Sequence, residues 1–178
     1  MRVLCYLVSI VLANVLTAAF HPLTIGAFII PMGSFLIGAT FIFRDIVQNK
    51  YGKAKTYLFI AIALILSAIV SYLLGDTLAV VFASAISFLI AETSDTEIYS
   101  RLRLSFAWRV FYSGVVGGLL DSVIFVTLGL SPLGANFLPW EAVPYAIIGQ
   151  MLAKLVMQTI GALILSQATK LPKFNHVA

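Results

Sequence analysis

Six stretches rich in apolar residues divide the chain: Val3 to Phe20, Thr24 to Phe43, Tyr57 to Leu74, Thr77 to Ile98, Val110 to Leu130 and Val143 to Gln167. Each approaches the roughly 20 apolar residues that carry a helix across a bilayer, and short links join them. The pattern predicts an all-α membrane protein of six transmembrane helices, forming a single transporter-sized domain over residues 1–178. Polar positions inside the runs fall on faces. Asn14 and Thr17 stand three apart in the first run. Ser84, Glu92 and Asp95 share an arc of the fourth, with Phe82 and Leu89 directed elsewhere. Gly114, Gly117, Gly118, Asp121, Ser122 and Phe125 share a face of the fifth, and Gln150, Lys154, Gln158 and Gly161 form a stripe on the sixth. On the second run Gly26, Gly33, Ile37, Thr40 and Arg44 would line one helical face. Pro31, which lacks an amide proton and clashes with the preceding turn, would kink or break that helix. The third run carries no charge and reads as scaffold.

Composition sharpens this picture. With 61% hydrophobic and 10% charged residues and a mean hydropathy of +1.06, the chain cannot maintain a water-soluble surface. A net charge of +4 could point to nucleic acid, but the distribution of the basic residues excludes it. Arg2, then Arg44, Lys50, Lys53 and Lys55, then Arg101, Arg103 and Arg109, then Lys170 and Lys173 occupy alternate links. The intervening links, His21-Pro22-Leu23, Gly75-Asp76 and Leu130 to Glu141, have no Lys or Arg. By the positive-inside rule the basic links and both termini are cytoplasmic. The first run, with Ala18-Ala19 at its end, resembles a signal peptide, but Asn14, Thr17 and the parity of the charge pattern predict that it is retained as a span. Cys5, the single cysteine, can form no internal disulfide and belongs to no metal motif.

No motif for hydrolysis, phosphate binding or thiol redox chemistry is present, and neither His21 nor His176 has a neighbouring ligand at metal spacing. An enzyme is therefore not expected, nor a cofactor or a metal. What stands out is a set of polar groups in the apolar runs: Asn14, Glu92, Asp95, Asp121, Ser122, Gln150 and Lys154. Ionisable residues at membrane depth are costly and mark pathways or ligand sites. Lys154 requires a counter-charge, and Asp121 matches it in depth. Asn14 serves equally as an interhelical hydrogen-bonding residue or a ligand contact. Glu92 and Asp95 either face the interior or pair with Arg101 or Arg103 at the cytoplasmic mouth. The loop Ser131 to Trp140, with two prolines and a glycine, is placed as a lid over the outer end.

Several of these residues also occur in an order that carries a resemblance. Gly26-Ala-Phe with Pro31, Arg44-Asp45-Ile-Val with Tyr51-Gly52, Asp95 with Arg101-Leu-Arg103, Gly117 to Asp121-Ser122 with Phe125, and Lys154 together resemble the vitamin-uptake-transporter-like (VUT) family, the queuosine-precursor transporters. The resemblance implies a six-helix inner-membrane importer of 7-cyano-7-deazaguanine or a related deazapurine, acting in a lipid bilayer without nucleic acid and leaving a homo-oligomer open. It places Asp45, Asp95, Asp121 and Lys154 at family-motif positions; at Glu92 many relatives have an uncharged polar residue. Asp121 or Glu92 would read the donor edge of the base, Lys154 or Gln150 its carbonyl, and Phe125 or another aromatic would stack on the ring. A substrate-binding subunit of a larger vitamin importer and a non-transporting membrane scaffold are the competing readings.

Overall fold

The computed structural model describes residues 1–168, so Lys170, Lys173 and His176 lie outside the described residues. Six α-helices account for most of the chain: α1 (Arg2–Ala19), α2 (Gly33–Tyr51), α3 (Lys53–Leu73), α4 (Leu78–Arg101), α5 (Phe106–Phe125) and α6 (Val143–Ala168). Between α1 and α2 lies an antiparallel hairpin, β1 (Leu23–Ile25) and β2 (Phe28–Ile30). A π-helical turn, Val126–Leu130, extends α5. Among the described residues five helices are long and apolar enough to cross a membrane, α5 being counted with its π turn. The sixth, α2, spans 19 residues but carries Arg44, Asp45 and Lys50.

The distribution of side chains follows from lipid as the solvent. Leu58, Ile62, Ile65 and Ile69 on α3 and Leu152, Val156 and Ile160 on α6 are exposed, whereas Arg44, Asp45, Asp95 and Gln158 are completely buried. Apolar groups gain nothing by leaving hydrocarbon, and polar ones must find partners inside. Phe82 and Leu89 are exposed while Glu92 and Asp95 on the same helix are buried, as the arc on α4 predicts.

The stretch Thr24 to Phe43 is not one helix, and the expected kink at Pro31 is a complete break. Gly26, at φ +60°, opens a two-residue hairpin loop whose right-handed twist requires a positive φ, and Leu23 pairs with Ile30, Ile25 with Phe28. Pro31 can donate neither to a ladder nor to a helix interior. The helix restarts at Gly33, where the Ser34 amide donates to the Pro31 carbonyl at 2.9 Å. Gly26 therefore leaves the face it was expected to share with Gly33, Ile37, Thr40 and Arg44. Boundaries also move elsewhere: α5 begins at Phe106, after Ser105, and α3 begins at Lys53, because Gly52, at φ +81°, closes α2 and releases α3 with no intervening link.

Lys53 and Arg101 meet at Glu97 and Arg109 reaches the Tyr99 carbonyl, which marks one end of the bundle, here the basic end; the hairpin, the Gly75 turn and the α5–α6 loop meet at the other, the hairpin end, where Ile29, Asp76 and Leu138 line one cavity. α2 occupies the centre and packs against all five other helices. Close approach to α6 depends on small residues: Gly38 lies against Lys154 and Met157, and a Cβ at Gly38 would come within 2.8 Å of the Met157 Cβ. Gln158 uses that proximity to donate from Nε2 to the Gly38 carbonyl at 3.0 Å.

Candidate ligand cavity and the buried arginine cluster

A cavity of about 410 Å³ lies at the hairpin end, among all six helices, with Ile29 and Pro31 from the hairpin segment and Phe137 and Leu138 from the α5–α6 loop completing its wall. That volume falls within the roughly 300–1,000 Å³ of small-molecule sites. On its α5–α6 side, Lys154 Nζ donates to Asp121 Oδ2 at 2.7 Å, to Ser122 Oγ at 2.7 Å and to Gln150 Oε1 at 3.5 Å. The Ser122 hydroxyl donates to the Gly118 carbonyl, 2.8 Å away, so its oxygen is free to accept from the lysine. Gly118 packs beside the lysine: a Cβ there would stand at ordinary contact distance, 3.5 Å, from the Lys154 side chain. The two charges differ in access, Lys154 being 2% and Asp121 14% exposed. Gln150 Nε2 is buried with no partner. A ligand entering this space meets an ion pair it can rearrange and an amide still lacking a bond.

The opposite wall carries neutral side chains except for Asp76 at its rim. Asn14 Nδ2 donates to the Ser67 carbonyl at 3.2 Å and to Ser67 Oγ at 3.0 Å, tying α1 to α3. At the rim Ser71 donates to Asp76. Ser84 and Ser87 from α4 and the ring of Phe125 complete the lining.

A second assembly lies toward the basic end. Arg44 and Asp45, near the middle of α2, meet Glu92, Asp95 and Thr96 of α4. Arg44 Nη2 contacts Asp45 Oδ1 at 2.8 Å and also Asp95 Oδ2. Its Nη1 donates to the Glu92 carbonyl at 2.9 Å and to Thr96 Oγ1 at 2.7 Å, and Nε lies 3.7 Å from Glu92 Oε2. Ser113 of α5 donates to Asp45 Oδ2 at 3.3 Å. Gly117 makes room for Asp95: a Cβ there would stand 3.1 Å from the Asp95 Cβ and 3.2 Å from the ring of Phe41. None of the four charged side chains exceeds 1% exposure.

The nine nominated residues thus separate into two places. Asn14, Asp121, Phe125, Gln150 and Lys154 line the cavity, and Ser122 lies directly behind Lys154. Asp45, Glu92 and Asp95 surround Arg44 instead. The expected alternative partners of the acids, Arg101 and Arg103, do not take them; Arg101 faces Glu97 at 3.6 Å, and Lys53 faces Glu97 at 2.6 Å, at the exposed rim. Arg44 reaches the acids because α2 is central and α4 crosses it at that depth. Sequence reasoning missed Ser67 and Ser71, since α3 read as scaffold. Their i, i+4 spacing in an otherwise apolar helix was the available signal.

The family model described as "Putative vitamin uptake transporter" matches residues 70–168. This is more than half of the chain, and it takes in α4, α5 and α6 with Glu92, Asp95, Asp121 and Lys154. The chain belongs to this family. No curated protein and no solved structure matches it. The vitamin uptake transporter family and the apolar helices together make this a multi-pass membrane protein of vitamin-type uptake.

Proposed function

We propose that this chain is an inner-membrane importer of a queuosine precursor, 7-cyano-7-deazaguanine or a related deazapurine, with six spans and both termini in the cytoplasm. The supporting observation is the paired charge on the cavity wall: Asp121 and Lys154, with Gln150 beside them and Phe125 in the same lining. A guanine-like edge presents an imide N–H and an amino group side by side, which one carboxylate accepts in parallel, while the adjacent carbonyl accepts from a donor. Asp121 supplies the first, Lys154 or Gln150 Nε2 the second, and Phe125 an apolar face for the ring. Substrate competes for the Asp121–Lys154 pair, so binding loosens the contact between α5 and α6 and favours rearrangement of the bundle. As the sixth span, α2 needs no lipid-facing charge, since Arg44 and Asp45 are satisfied within the bundle. The basic end then lies on the cytoplasmic side and the cavity opens outward.

The test is thermal stabilisation of the purified chain across deazapurines, guanine and water-soluble vitamins, followed by uptake into liposomes holding this chain alone. Stabilisation by 7-cyano-7-deazaguanine and its accumulation inside are expected. Stabilisation only by an unrelated vitamin would overturn the substrate assignment, and binding without uptake would make the chain a capturing subunit.

A further inference from the structure

We propose that Glu92 is a proton-carrying group and that the chain couples substrate import to proton entry; the coupling rests on the importer reading, the proton on Glu92 does not. The observation is an imbalance. One guanidinium faces three carboxyl groups, Asp45, Glu92 and Asp95, where none is more than 1% exposed. The donors are unevenly shared. Asp45 receives Arg44 Nη2 and the Ser113 hydroxyl, Asp95 receives Arg44 Nη2, and Glu92 is left at 3.7 Å from Nε, beyond hydrogen-bond distance of the guanidinium. The Arg44 donors on Nη1 are spent on the Glu92 main-chain carbonyl and Thr96. A bare carboxylate in a dry interior is so costly that it takes up a proton instead.

A second observation, from another helix, points to the same place. The Tyr6 hydroxyl of α1 is fully buried and faces the Glu92 carboxyl within hydrogen-bonding reach, so it can donate to the carboxylate or accept from the acid. As an acceptor, it suits a protonated Glu92, which would then donate to it. Among the described residues no group of three carboxyl, imidazole or thiol side chains is arranged to hold a metal ion; the three carboxyls here surround a guanidinium instead. The groups that face Glu92 are Tyr6 from α1, Arg44 and Asp45 from α2, Asp95 on its own α4 and Asp121 from α5, whose charge also reaches it. Asp121 belongs to the cavity and Phe88, one turn before Glu92 on α4, lines it, so Glu92 is one helical turn along α4 from the cavity wall and beside the arginine.

In the cycle, a proton from the outer side reaches Glu92 by way of the cavity, where Asp121 lies open to solvent. It is bound as O–H and remains while substrate occupies the site. When the contacts around Arg44 part toward the cytoplasm, Arg44 turns to Glu92, the proton leaves to the cytoplasmic side and the carboxylate is held by the guanidinium. One proton enters per transport event, and the return step requires its replacement from outside.

Two measurements test this. Infrared difference spectra at neutral pH should contain a protonated-carboxyl band that Glu92→Gln removes and Asp45→Asn leaves in place; absence of the band, or its survival in the Glu92 variant, overturns the proton assignment whatever the substrate proves to be. In liposomes with a pH-sensitive dye inside, adding 7-cyano-7-deazaguanine outside should acidify the lumen with wild-type chain and fail to do so with Glu92→Gln. Uptake without acidification, or uptake driven by a sodium gradient instead, overturns the coupling. A band at Glu92 with no binding of any deazapurine would leave the proton site standing and remove the importer reading.

Discussion

At the cavity wall one lysine meets one carboxylate, and Asp121 keeps 14% of its surface open; toward the basic end one arginine meets three carboxyl groups that are shut off from solvent. Both assemblies join a cation and acids inside an apolar bundle, yet they differ in access and in balance. A buried ion pair contributes little net stability, because desolvation offsets the attraction, but removing one partner strands the other. The Asp121–Lys154 pair can be opened by a ligand that offers equivalent bonds at the same place. The Arg44 assembly cannot be opened without moving α2 against α4. One is suited to exchange partners with a solute, the other to hold helices together and to store or release charge.

The strongest challenge to that contrast is loss of the central cation. Arg44→Met leaves Asp45 and Asp95 without their guanidinium, and unfolding of the detergent-solubilised protein should show a loss of about 3–5 kcal/mol, or failure to recover folded protein at all. Lys154→Met should cost less, about 1–3 kcal/mol, because Asp121 can still reach water through the cavity. It should also abolish stabilisation by 7-cyano-7-deazaguanine in the same thermal assay. Equal destabilisation by the two substitutions would erase the distinction between the sites.

Packing around the pair can be probed without touching charge. Gly38→Ala drives a methyl group to 2.8 Å from the Met157 Cβ and 3.1 Å from the Lys154 Cα, which should push α2 from α6 and cost about 1–3 kcal/mol. Gly118→Ala meets Lys154 only at ordinary contact distance, 3.5 Å, and should lie within about 0.5 kcal/mol of wild type. Smallest of all, Lys53→Ala removes the exposed pair with Glu97, and the unfolding temperature should not move, since exposed ion pairs are screened by water and salt.

Much of this architecture is legible along the chain because helix periodicity is a local property. The runs that become α1, α3, α4, α5 and α6 are marked by apolar length, and the glycine, acid and hydroxyl face of α5 and the polar stripe of α6 follow from spacing alone. Lys154 and Asp121 could be matched because both runs were bounded, so depth could be estimated. The hairpin could not be separated from a helix by apolar content, although Gly26 and Pro31 were its punctuation. Arg44 shows the other limit. From spacing it lies at the end of an apolar helix, and nothing local says whether it turns to headgroups or inward.

What the sequence by itself determined is the membrane as solvent, the number and faces of the apolar runs, and the need of each buried charge for a partner. Which partner was found is a matter of tertiary structure. Arg44 reaches Glu92 and Thr96 across 48 and 52 residues of chain, and Gln158 reaches Gly38 across 120. Those choices depend on α2 taking the centre of the bundle, where glycines on its neighbours permit close approach. Charge neutrality at a point in space is a sum over helices, and no single stretch of chain contains it.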